Sequence, residues 1–160
     1  MNRERFFELL KSPCTPYVIV ELIYVIAVII FNINLAYINK LLNQNFDVDR
    51  MVVQKDVIIA TKVMAFENNT SWNYLFWGIV LIVTGFVIPI VSNLINKSSY
   101  KSEGVKTAIL MVICFMTALN IILIISISKA LLSPIVIATL IATLILCAAG
   151  ALFAIGSSQS

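Results

Sequence analysis

The sequence predicts an all-α integral membrane protein with four transmembrane helices and both termini in the cytoplasm. A short interfacial helix opens the chain, and the outer loop is partly helical. Three observations predict this class. Of 160 residues, 61% are hydrophobic and 12% charged, against about a half and a quarter in a soluble domain. Four apolar runs, near residues 17–39, 75–95, 107–127 and 132–155, each reach the roughly 20 residues that a helix needs to cross a bilayer. The lysines and arginines are uneven. Arg3, Arg5 and Lys11 precede the first run, Lys97, Lys101 and Lys106 crowd the 96–106 loop, and Lys129 alone lies between the last two runs. The positive-inside rule then places both termini and the 96–106 loop in the cytoplasm. Residues 1–160 read as one transmembrane bundle without a separate soluble domain.

In residues 1–12, Phe6, Leu9 and Leu10 recur at helical spacing beside Phe7, and Arg3, Arg5, Glu8 and Lys11 occupy the rest of the surface. This is the pattern of an amphipathic helix lying in the membrane interface. Pro13 and Pro16 end it, and Pro16 falls in the first turn of the next helix. The first apolar run is too long for a signal peptide and no small-x-small cleavage pattern follows it, so it is expected to stay as a span.

That first span, 17–39, carries Glu21, Asn32, Asn34 and Asn39. Glu21, Val25, Val28 and Asn32 fall close to one line, because eleven residues at about 100° return to within about 20°. Asn39 continues the stripe. A carboxylate at the centre of a lipid-facing helix costs roughly 2.5–3.5 kcal/mol even on insertion scales, so the stripe is expected to face other helices, a partner or water. Glu21 reads in two ways: as a proton or cation site, or as a side chain near the cytoplasmic end that pairs with Arg5, Lys11 or Lys101.

The outer loop, Lys40–Asn73, balances four basic residues against Asp47, Asp49, Asp56 and Glu67. Asp47 or Asp49 can cap a helix running to about Phe66, with Val52, Ile59, Val63 and Phe66 along one side and Val53, Val57 and Ala60 among those adjoining them. Met51 and Ile58 interrupt its polar arc and Asp56 its apolar one, while the β-branched run from Val57 to Ile59 also suits a strand. Asn68-Asn69-Thr70-Ser71 holds two overlapping glycosylation sequons, meaningful only in a eukaryotic secretory membrane.

Trp72, Tyr74 and Trp77 form an aromatic belt before the second span, and Gly85 with Pro89 predicts a bend in its inner half. The third span carries Asn120, expected to hydrogen-bond Asn32 across the helices. Ser133-Pro134 starts the fourth. There Ala138, Ala142, Ala149 and Gly156 lie within about 40° of one line, a seam of small residues that lets another helix approach closely.

Catalysis requires titrating or coordinating groups near one another. The chain has no histidine, no acid pair in the spans and no Gly-rich phosphate loop. The expectation is no enzyme, no catalytic residue, no metal and no cofactor. Cys14, Cys114 and Cys147 are odd in number and lack CxxC spacing, which suggests neither zinc nor a disulfide framework. Cys114 and Cys147 are expected to act as small buried hydrophobes. A net charge of +3 with scattered basic residues gives no nucleic-acid stripe. Arg3, Arg5, Lys11, Lys97, Lys101 and Lys106 form the natural docking surface for a cytosolic protein. Membrane lipid and further copies of the chain are the other expected partners.

In outline, the basic start Asn2-Arg-Glu-Arg-Phe-Phe, the four spans, the outer loop Lys40–Asn73 and the inner loop Asn96–Lys106 resemble the membrane subunit of the Kiwa-type bacterial anti-phage defence system. The likeness lies in architecture and rests on no signature motif. The resemblance implies a tetramer in a bacterial cytoplasmic membrane that senses envelope disturbance and signals to a cytosolic effector. Two readings compete with it: an immunity protein against a pore-forming toxin, and a small channel or transporter using the Glu21–Asn32 face.

Overall fold

The structure, a computed structural model, describes residues 3–66 and 70–159. Among these residues the chain forms α-helices only: α1 (Arg3–Leu10), α2 (Thr15–Asn45), α3 (Val48–Gln54), α4 (Val57–Phe66), α5 (Thr70–Ser98), α6 (Glu103–Leu131) and α7 (Pro134–Ser158). Four of them, α2, α5, α6 and α7, are long and apolar enough to cross a membrane. The expected all-α membrane architecture is thus present, with a short N-terminal helix and short helices between the first two spans. Asn2, which opens the basic start, and Asn68-Asn69 of the sequons lie outside the described residues, as do the side chains of Thr70, Ser71 and Phe66.

All four long helices run past at least one expected boundary. In α2, Leu42 is fully buried and the Asn45 side chain donates to the Leu41 carbonyl at 2.8 Å, so tertiary packing and a local bond sustain helix beyond the apolar run.

The chain divides into two compact units. The first comprises Met1–Asn32 with Ile79–Ser128, and the second Ile33–Gly78 with Lys129–Ser160. In the first, α2 buries Tyr17, Glu21, Tyr24, Val28 and Phe31, and α6 buries Ile109, Ile113, Met116, Asn120 and Ile127. Both sets step by alternating threes and fours, with one seven in α6, which is the seam of a helix packed at a shallow angle. The matching seam of α5 is different in kind: Gly85, Pro89, Ser92 and Asn96. Lipid offers no hydrophobic drive for helices to meet, so close backbone approach and interhelical hydrogen bonds must supply it. Here α5 supplies the flat surface, and α2 and α6 supply the large side chains. Tyr17, Ile109, Ile113 and Met116 cluster with Ile88 and Cys14 against them. Asn96 clips the ends of the α5–α6 turn by donating to the Lys106 carbonyl at 3.0 Å.

In the second unit, α3 and α4 pack on each other and on α7. The 40–73 loop holds two helices rather than the one expected. Lys55, in the left-handed conformation at φ 55°, ends α3, and Asp56 starts α4 by accepting from the amides of Ile58 (3.0 Å) and Ile59 (3.2 Å). Asp56 therefore does not interrupt an apolar face; it caps a helix. The break also rotates the faces. Met51 is fully buried and Val53 is 78% exposed, the reverse of their expected places. The N-terminal cap of α3 is as expected, with Asp47 accepting from the Arg50 amide at 3.1 Å.

Ser133 precedes α7 without a side-chain cap. Asn39, from α2, accepts from the Ile135 amide at 3.3 Å instead. α7 is half packed. Ile135, Val136, Ala138, Thr139, Ile141 and Ala142 are buried, whereas every residue from Leu144 to Gln159 is exposed within the chain. Of the expected small-residue seam, Ala138 and Ala142 pack, while Ala149 and Gly156 do not. Cys114 and Cys147, expected to be buried, are also exposed.

Candidate functional site

The chemistry-bearing residues of the first unit converge where α2, α5 and α6 meet. Tyr24, 3% exposed, crosses over Gly85, and its hydroxyl donates to the Leu81 carbonyl at 3.0 Å. A buried tyrosine in an apolar run needs such an acceptor. Gly85 makes the crossing feasible, because a Cβ there would collide with the Tyr24 hydroxyl and press on Ile124 Cδ1 at 3.1 Å.

Four residues beyond Gly85 stands Pro89, which has no N–H to give to the Gly85 carbonyl. That carbonyl is not left bare. Asn120 Nδ2, from α6, donates to it at 3.0 Å. The bond also fixes the amide's orientation, since the opposite flip would set two oxygens face to face. Asn120 Oδ1 consequently points elsewhere, and it is buried with no hydrogen-bond partner.

Glu21 completes the cluster. It is 6% exposed, and both carboxylate oxygens lack a hydrogen-bond partner among the described residues. Asn120 is the side chain that reaches the carboxylate, without attaining hydrogen-bond geometry, and Tyr24 lies within electrostatic range of it. The expected pairing of Glu21 with Arg5, Lys11 or Lys101 does not form. The ion pairs among the described residues are Arg50–Asp56 (3.2 Å) and Lys106–Glu103 (3.9 Å). The Lys101 ammonium sits over the Tyr17 ring, 5.9 Å from its centre, one helical turn before Glu21.

The intramembrane polar stripe is therefore divided. Glu21 and Asn120 come together, but Asn32 and Asn120 do not bond. Asn32 Nδ2 donates to Ser126 Oγ at 3.3 Å, and Asn39 belongs to the second unit, at the start of α7. The six basic residues assigned to a docking surface all belong to the first unit. Arg3, Arg5, Lys11, Lys97 and Lys101 are exposed, while Lys106 is half-buried. Tyr24 and the Gly85–Pro89 pair were not expected in the site. The signal for them is the spacing of glycine and proline by four, which marks one unclaimed carbonyl, together with a tyrosine facing it.

No group of three or more metal-ligating side chains occurs among the described residues. No protein-family model matches the chain, and neither a curated protein nor a solved structure matches it. Four spans, seams of small and polar residues and one buried carboxylate together identify an integral membrane protein of packed helices.

Proposed function

We propose that the chain is a non-catalytic subunit of a homo-oligomeric assembly in a bacterial cytoplasmic membrane. It registers disturbance of the envelope and passes it to a cytosolic partner docked on Arg3, Arg5, Lys11, Lys97, Lys101 and Lys106. Both termini and the 96–106 loop lie in the cytoplasm in this reading. The resemblance to the Kiwa membrane subunit suggests a tetramer and a role in anti-phage defence.

One observation carries the subunit reading: among the described residues, the half of α7 from Leu144 to Gln159 is exposed, yet includes Ala148, Ala149, Gly150, Ala151 and Gly156, residues that favour close helix approach. No span has more than 28% of its most apolar stretch buried, which leaves ample surface for other copies. The polar side chains also speak against conduction along one chain. Asn32, Asn39 and Asn120 are each tied to a neighbouring helix, so they do not line a continuous path.

The test is extraction from native membranes in mild detergent, with the assembly weighed by native mass spectrometry. A homo-oligomer bearing a stoichiometric cytosolic protein is expected. Mild oxidation should also link copies through Cys147, which is exposed on the unpacked half of α7. A monomer that resists linking in the membrane overturns the subunit reading, and a bare oligomer overturns the cytosolic partner.

A further inference from the structure

Among the described residues, three buried oxygens of the α2–α5–α6 junction have no donor: both carboxylate oxygens of Glu21 and Oδ1 of Asn120. Leaving a buried polar group unsatisfied is costly, and more so for a charged one. Other buried orphans, Asn93 Oδ1, Asn96 Oδ1 and Ser133 Oγ, are isolated neutral groups. At Glu21 the shortage is of a different kind, because the carboxylate is a charged group without a donor and the Asn120 side chain beside it carries a third unmatched acceptor.

The surroundings offer no relief. On α2 the titratable neighbours are Tyr17 and Tyr24, and the Tyr24 hydroxyl is already committed to Leu81. The α5 seam presents Gly85, Pro89 and Ser92, none of them charged. From α6 comes Asn120, with Nδ2 bonded to Gly85. The Lys101 ammonium rests on Tyr17, one turn from Glu21 on α2.

We propose that Glu21 and Asn120 form a proton-binding site, in which one proton from water converts the carboxylate to a carboxylic acid whose O–H is donated to Asn120 Oδ1. One proton removes the buried charge and gives two of the three orphaned oxygens a shared bond. A sodium ion fits less well, since hard cations gather about six oxygens and three unpartnered ones are present here among the described residues. A groove of about 340 Å³, lined by Pro16, Tyr17, Val20, Ile88, Ser92 and Lys101 among others, lies one turn away at Tyr17, and in the proposal it is the side from which the proton arrives. The site lies within the first unit of a single chain, so the inference does not depend on the subunit reading. Its consequence is a proton-linked element at the place where Pro89 leaves α5 dependent on α6.

The test is infrared spectroscopy of the full chain, labelled with ¹³C-glutamate and reconstituted in phospholipid bilayers at neutral pH. The C=O stretch of a protonated carboxylic acid is resolved from the carboxylate bands. The wild type should show it, Glu21→Gln should lose it, and Asn120→Leu should keep it at a frequency raised by loss of the hydrogen bond. If Glu21→Gln removes carboxylate intensity instead, Glu21 is ionised and the proposal fails. If added Na⁺ converts the acid band to carboxylate at constant pH, a metal cation displaces the proton, and a site for the proton alone is overturned. Circular dichroism reports whether each variant is folded. Should Glu21→Gln fail to fold, Asn120→Leu decides: an unshifted or missing acid band overturns the pairing.

Discussion

Asn120 donates its side-chain amide to the carbonyl of Gly85 at 3.0 Å, the one carbonyl of α5 that Pro89 deprives of its usual donor four residues on. The proline and the asparagine are on different helices, 31 positions apart in sequence, yet they are two halves of one device. Proline makes an acceptor available inside the seam, and the asparagine uses it to join α6 to α5.

This relation predicts a specific rescue. Asn120→Leu should destabilise the protein by about 1–3 kcal/mol by leaving the Gly85 carbonyl unpaired. Pro89→Ala restores a backbone donor to that carbonyl, so in the Pro89→Ala background the same substitution should cost less. Unfolding in detergent for the two single variants and the double variant measures the coupling, expected at about 0.6–2 kcal/mol. Strictly additive effects would mean that the bond answers no vacancy left by the proline.

The contact between Tyr24 and Gly85 is similarly exposed to test. Gly85→Ala places a methyl against the Tyr24 hydroxyl and Ile124, displacing the bond to Leu81. Overpacking of this kind costs about 1–3 kcal/mol. Gly104→Ala is the control, since no heavy atom lies within 4 Å of a Cβ there, and its melting temperature should stay near that of the wild type. Equal effects at the two glycines would refute the close approach.

The four spans were legible because membrane insertion depends on bulk properties that composition carries: span length and apolarity. The partners of the polar side chains were less legible. Asn32 and Asn120 invited pairing because both are amides inside apolar spans, but nothing in their own neighbourhoods revealed that the Gly85 carbonyl, left without a donor by Pro89, takes the amide of Asn120. The outer loop misled for a local reason. Its apolar pattern was read at one helical phase, while Lys55 adopts the left-handed conformation and resets the phase, exchanging the expected places of Met51 and Val53. A lysine there gives little warning, because glycine or asparagine is the usual residue.

That kink carries its own expectation. A non-glycine residue in the left-handed region costs about 1–2 kcal/mol, so Lys55→Gly should stabilise the α3–α4 pair, offset in part by losing the Lys55 Nζ bond to the Val52 carbonyl (2.8 Å). Asp56→Ala should act the other way. It removes the cap of α4, worth about 0.5–2 kcal/mol, and the ion pair with Arg50. Hydrogen exchange of the α4 amides, compared across the two variants, reads both effects. Faster exchange in Lys55→Gly would contradict the strained break.

The two halves of α7 should respond to bulk in opposite ways. Ala142 is buried within the second unit, so Ala142→Leu presses on the chain's own packing and should lower the melting temperature, at about 1–3 kcal/mol. Gly150 has no heavy atom within 4 Å of a Cβ. Within one chain, Gly150→Leu therefore has nothing to strike, and glycine to leucine inside a helix is mildly stabilising. A second copy packed along Ala149, Gly150 and Gly156 changes that outcome, since leucine would hold the helices apart. Gly150→Leu should then weaken the oligomer seen by native mass spectrometry while leaving helical content intact. An oligomer unchanged by Gly150→Leu would move the subunit contact away from this half of α7, and lipid would be its remaining cover.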